Sequence, residues 1–174
     1  MTKISDKQIE QGAKILGIAL LVVVAIIAAT YGLKTIRNIL GLTDQKAEEK
    51  ANKEKAAELE ANTKTEKKAV EKKGIKATLT GSQAAAIANA VYNDLNKSGV
   101  SKDRTDAFNQ LAKILNDADF LNVQSAFGIK QDYAFGFPVG DKLDFVSFVR
   151  SNLSSAYIEP LNAMYSKSKM RYKF

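Results

Sequence analysis

The sequence predicts an all-α protein in three parts. These are an N-terminal transmembrane helix over residues 1–41, a charged helical stalk or linker over 42–76, and a small C-terminal bundle of about five helices over 77–174. Three observations carry this division. Residues 15–33, ILGIALLVVVAIIAATYGL, contain no charged side chain. Residues 42–76 are dominated by Ala, Lys and Glu, all strong helix formers. Successive sets of large apolar residues at helical spacing, punctuated by Gly and by capping side chains and able to build a soluble core, follow residue 77.

The uncharged run is long enough to cross a bilayer: at 1.5 Å per residue its helix would rise about 28 Å, against a hydrocarbon core of ~30 Å. Lys14 precedes it, and Lys34 and Arg37 follow it, where lipid headgroups belong; Tyr31 sits at the depth of an interfacial aromatic. These four are the expected membrane-interface residues. No A-x-A cleavage pattern lies between the run and Lys34, so a retained span is expected rather than a signal peptide. Leu33, Ile36, Ile39 and Leu40 extend the helical pattern to a stop at Gly41. Ala25/Ala29 and Ala28/Gly32 have the spacing of close-packing helix pairs, although alanine is common enough here to account for them. Three Lys precede the run and five Lys/Arg follow within about twenty residues, which leans towards a cytoplasmic or interior C-terminal side.

In the stalk, Glu49–Lys53 and Glu60–Lys64 stand four apart in the favourable order. Leu59 and Val70 are the large apolar residues between Thr43 and Gly74, so no heptad seam is expected and a solvated spacer, part helix and part flexible, is the reading. Asn62, Thr63 and Thr65 form its expected soft point.

The bundle begins with a capping box, Thr80 and Gln83, before a first helix carrying Ile87, Ala90, Val91 and Leu95 and ended by Gly99. Ser101 is expected to cap a second helix, with Asp103 and Asp106 in its first turn and Phe108, Leu111, Ile114 and Leu115 inward. Asn116 or Asp117 starts a third, with Phe120, Leu121, Val123 and Phe127, ended by Gly128. Residues 131–140 contain Gly136, Pro138 and Gly140 and read as a loop, rich in aromatics from Tyr133 to Val139. That loop either folds back on the core or offers a contact surface. Asp141 is expected to cap a fourth helix bearing Leu143, Val146, Val149 and Leu153. Ser154 or Ser155 begins a fifth, with Ile158, Leu161, Met164 and Tyr165; Pro160 is expected to kink it or delay its start.

Five short helices with a Gly-containing first connection resemble a single annexin repeat. The stretches that carry the resemblance are Lys97-Ser98-Gly99-Val100-Ser101, residues 125–128 (Ser-Ala-Phe-Gly) and residues 152–155 (Asn-Leu-Ser-Ser). The half-chain is also similar to C-terminal modules of membrane-anchored bacterial and bacteriophage proteins that end in a short aromatic tail. The resemblance implies a five-helix fold. It does not bring a calcium site, because the family's Gly-x-Gly-Thr loop is replaced here by Ser98-Gly99-Val100-Ser101.

Chemistry is sparsely represented. His and Cys are absent, which removes the commonest general base, the commonest metal ligand and any thiolate. The net charge of +7 divides into +3 over residues 1–41, +2 over 42–76 and +2 over 77–174, without the clustering a nucleic-acid footprint needs. No enzyme, no cofactor, no metal and no specific nucleic acid are therefore expected. The sharpest candidate contact is the tail, residues 166–174, where Lys167, Lys169, Arg171 and Lys173 alternate with Met170, Tyr172 and Phe174. Period two predicts an extended segment. Met170, Arg171, Tyr172, Lys173 and Phe174 are the partner-docking candidates, the alternative being that the apolar side closes on its own domain. The expected partners are a lipid bilayer and proteins of a larger assembly, such as a capsid or an envelope complex. The expected role is a structural membrane protein of a bacteriophage virion with an internal membrane. The alternatives are an adaptor subunit at a bacterial inner membrane and an accessory to a cell-wall hydrolase.

Overall fold

The computed structural model describes residues 45–97, 103–134 and 136–174. The uncharged run and its flanking Lys14, Tyr31, Lys34 and Arg37 lie outside the described residues, as do Gly99 and Ser101. Among the described residues no helix is long and apolar enough to cross a membrane.

Among the described residues six helices and one hairpin follow in order: α1 (Gln45–Lys72), α2 (Gly81–Leu95), α3 (Thr105–Leu111), α4 (Asp117–Phe127), β1 (Ile129–Ala134), β2 (Phe137–Asp144), α5 (Phe145–Asn152) and α6 (Ser155–Lys167). The five-helix bundle is present, but the fold is not all-α, because an antiparallel two-stranded sheet stands between its third and fourth helices.

The stalk is a single unbroken 28-residue helix, about 42 Å long. No soft point interrupts it at Asn62-Thr63: Thr63 is only 2% exposed and faces the bundle. The helix ends where Gly74 takes a φ of 75°, a left-handed conformation open to glycine, and the Ile75 N–H returns to the Val70 carbonyl. Between this turn and α2, the chain is pinned by Asp119. Its carboxylate is fully buried and accepts from Thr78 N (2.7 Å), Thr78 Oγ1 (2.6 Å) and Leu79 N (2.8 Å).

The capping box at Thr80 and Gln83 forms as expected. Asn116 caps α4, and Gly128 closes it. For α3, Asp106 lies in the first turn, but Asp103 precedes the helix and accepts from the Thr105 N–H. Asp94 of α2 reaches across instead, accepting from Ala107 N at 2.9 Å. Leu115 is 56% exposed, not inward, because α3 stops at Leu111 and the helical spacing that aligned Leu115 with the core ends there.

The largest departure is at residues 129–144. Gly136, Pro138 and Gly140, which read as loop, are compatible with strands in this setting. Gly136 turns the hairpin with a φ of 81°. Pro138 sits on a sheet with no third strand to donate to. Gly140 falls where the register shifts between Lys130↔Leu143 and Asp132↔Val139. The strand continues to Asp144, so Asp144 rather than Asp141 caps α5, accepting from Ser147 N at 2.9 Å. Leu143 belongs to β2, and Asp141 pairs with Lys55 of α1 at 3.5 Å. α6 starts at Ser155 on schedule and carries Pro160 inside it. Within it, Leu161 and Tyr165 are buried, while Met164 is 40% exposed.

Phe120 of α4 is the hub of the core. Phe145, Tyr165, Tyr172 and Phe174 surround it with ring centroids 5.2–6.4 Å away. Such offset and edge-on contacts favour the ring quadrupoles beyond simple burial.

Candidate functional site

The tail residues meet at one place, and it is inside the domain. Met170 and Phe174 are buried at 5% and 7% exposure. Tyr172 stacks on Phe120 at 5.2 Å with an interplanar angle of 12°. Of the two destinations open to the apolar side of the tail, the structure occupies its own core. The extended segment expected over residues 166–174 is not formed throughout: Ser166 and Lys167 complete α6, and the chain turns at Lys169, which takes a φ of 56°, before Met170–Phe174 cross the domain without strand pairing. Met170 N donates to the Tyr165 carbonyl at 2.9 Å, and beyond it the backbone bonds go to side chains: Arg171 N donates to Asp117 Oδ1 at 2.8 Å, and Phe174 N donates to Asn162 Oδ1 at 2.9 Å, while Asn162 Nδ2 donates back to the Phe174 carbonyl. Lys173 is exposed. Burial raises the pKa of the Tyr172 hydroxyl to about 12, helped by the neighbouring Glu66 carboxylate.

Arg171 has a second task. Its guanidinium lies 4.7 Å from the Tyr172 ring centroid and 2.8 Å from Glu66 of α1. The tail thereby straps the stalk helix to the bundle. Other contacts act along the same helix face. Gln124 Nε2 donates to Thr63 Oγ1 at 3.1 Å, and Val70 is 4% exposed. Lys55, Leu59, Thr63, Glu66 and Val70 are four, four, three and four residues apart, so they share one stripe of a 3.6-residue helix. That stripe is the seat of α1 on the domain. Counting only large apolar residues missed it, because three of its five members are polar or charged; the four-four-three-four spacing itself was the available signal.

Above the seat, a cleft of about 360 Å³ opens between α1 and the hairpin, with Lys55, Leu59, Asn62, Lys142 and Leu143 among its walls. Glu49, held below the ordinary carboxylate range chiefly by Lys53, also feels the charge of Lys142.

The aromatic stretch from Tyr133 to Val139 falls at the end of the hairpin, where Val139 is buried but Tyr133 and Phe137 are not folded over the core. Tyr133 and Phe137 are 43% and 41% exposed, on either side of the Gly136 turn. The base of the tip is firmly held: Tyr133 N donates to Asn96 Oδ1 at 3.0 Å, Tyr92 Oη donates to the Gln131 carbonyl at 2.9 Å, and Lys130 lies 4.6 Å from the Tyr92 ring centroid.

Carboxylates serve as clips rather than as a reactive cluster. Asp94, Asp117, Asp119 and Asp132 are all at least nine-tenths buried, and each accepts from a backbone N–H. Burial pushes the Asp132 carboxyl above the ordinary carboxylate range, opposed by the Asn152 amide and the Tyr133 N–H. Among the described residues, no three His, Cys, Asp or Glu side chains converge as a metal site would require. No protein-family model, curated protein or solved structure matches the chain.

Proposed function

We propose that this chain is a non-enzymatic, single-pass membrane protein. It ties a small helical domain to a bilayer and serves as a structural component of a larger assembly, such as a bacteriophage virion with an internal membrane. The observation that carries this reading is the continuity of α1. A 28-residue helix is seated on the bundle by Thr63, Glu66 and Val70, and its N-terminal end leads back, eleven residues further on, to the uncharged run at 15–33. Such an arrangement holds the domain firmly on the helix that leads back to the proposed anchor. The buried aspartates support a structural role, since their acceptor capacity is engaged by the backbone.

The test is membrane retention of the full chain. Expressed in bacteria, it should float with vesicles and stay in the pellet after an alkaline carbonate wash. Val23→Arg together with Ile27→Arg should release it, since each charge near a helix centre costs about 2.5–3.5 kcal/mol on insertion scales. Release of the unmodified chain by carbonate refutes the anchor. Purification from the native source then separates the assemblies: a capsid lattice that co-purifies supports the virion role, and a stoichiometric envelope complex replaces it.

A further inference from the structure

The hairpin has a definite direction relative to α1. Gln124 near the end of α4 meets Thr63. Ile129 at the start of β1 lines the same cleft as Leu59 and Asn62. Further up the hairpin, Asp141 pairs with Lys55 at 3.5 Å. The partners on α1 thus fall in number, from 63 to 55, as the chain passes from α4 into the hairpin. α2 runs the same way, with Asn89 on Lys130, Tyr92 on Gln131 and Asn96 on Tyr133. Both α2 and the hairpin therefore point at the pole of the domain from which α1 extends its N-terminal end. Leu115 lies at the opposite pole: its N–H turns to Asp119, the same carboxylate that holds Thr78 and Leu79 beyond the C-terminal end of α1.

Two exposed aromatics occupy the pole nearer Gln45. They sit on a hairpin whose base is bonded to α2, so they are held out rather than splayed at random. Residues 34–44 separate Gln45 from the end of the uncharged run, a tether of at most about 40 Å if fully extended. That length bounds how far the pole can stand from the membrane surface. Tyrosine and phenylalanine at a rigid edge suit the boundary between headgroups and acyl chains, where an apolar ring and a polar hydroxyl are both accommodated. Lys97, beside Asn96, is already paired with Asp94 at 2.7 Å and Asp106 at 3.7 Å, so the pole does not rely on it to attract anionic lipid.

We propose that the hairpin tip, through Tyr133 and Phe137, rests in the headgroup layer of the same bilayer that holds residues 15–33. This rests on the anchored reading above and adds a second point of contact. The domain then stands against the membrane at two places, the span and the tip, and the two together fix its orientation. The contact is aromatic, so an uncharged phosphatidylcholine surface suffices and salt does not release it.

The chain contains no tryptophan, so a single introduced indole is an unambiguous probe. Phe137→Trp and, as a second reporter, Tyr133→Trp replace exposed rings with a similar one; Leu115→Trp reports from the far pole. Each full-length variant is reconstituted into phosphatidylcholine vesicles with and without brominated acyl chains, and retention after a carbonate wash is recorded on the same sample. The expected result is emission from the tip reporters that is blue-shifted and quenched by brominated lipid, unchanged in high salt, with the Leu115→Trp signal water-like and unquenched. Water-like, unquenched tip reporters in a chain that resists carbonate overturn the tip contact and leave the anchor standing. Loss of the chain to the carbonate supernatant overturns both. A blue shift without lipid quenching that appears only when another protein is added overturns the lipid assignment in favour of a protein contact.

Discussion

Truncation of Phe174 to alanine should destabilise the domain substantially. The ring is 7% exposed and lies 5.5 Å from Phe120, 5.5 Å from Phe145 and 6.0 Å from Tyr165, centroid to centroid. Core Phe→Ala changes cost about 3–5 kcal/mol, the larger values where the cavity cannot collapse. Half-buried Tyr172, stacked on the same Phe120, can move towards the vacated space, which favours the lower end, about 3 kcal/mol. Against a total stability of about 5–15 kcal/mol this is a large share. For a domain of this size it lowers Tm by about 10 °C. The assay is thermal unfolding of the full chain in detergent micelles, followed by far-UV and near-UV circular dichroism. Phe174→Leu, which keeps most of the volume, should recover most of the loss. A Phe174→Ala variant within about 2 °C of the unmodified protein would refute the burial of the tail, since that burial alone sets the size of the loss predicted from large-to-small core truncation. It would also return residues 170–174 to the docking role.

Asp119→Ala should cost about 3 kcal/mol or more, because it strands the N–H groups of Thr78 and Leu79 beside a vacated buried site; hydrogen exchange at those two amides should rise well before the rest of the domain unfolds. Asp132 gives a pH signature of defined sign. Its folded pKa is raised by burial, so its favourable contribution is complete below the unfolded value of about 3.9 and is lost as pH rises through the raised folded value. Chemical denaturation midpoints measured across that window should fall with rising pH in the unmodified protein. They should flatten in Asp132→Asn, and an unchanged slope would exclude Asp132 as the source.

The parts of the fold that were legible in the sequence are those governed by local chemistry. Thr80 with Gln83, Asn116 and Gly128 each mark a helix boundary because a cap is settled within four residues. The hairpin was not legible, because Gly136, Pro138 and Gly140 break a regular strand but suit a turn, an edge and a register shift, and only the partner strand distinguishes these cases. Asp141 was assigned the cap that Asp144 provides for the same reason: both precede an apolar run, and the extra strand length decides between them. The tail's alternation matches the burial of Met170, Tyr172 and Phe174 against exposed Arg171 and Lys173, but the helix runs on to Lys167 and the chain turns at Lys169, so period two did not describe the backbone of the whole segment and does not say whose surface its apolar side meets. The exposed position of Tyr133 and Phe137 depends on the hairpin and was therefore equally out of reach.

The strap between Arg171 and Glu66 joins residues 105 apart in the chain, whereas Thr63 to Gln124 spans 61 and Thr78 to Asp119 spans 41. Closing the longest loop carries the largest entropic cost and comes with the least local help, and α1 has few large apolar side chains with which to hold its place beforehand. Docking of the stalk should therefore be among the late events of folding. A chain anchored as proposed would assemble its bundle first and then draw it onto the helix nearest the membrane, so the domain acquires its final stance only after its core exists.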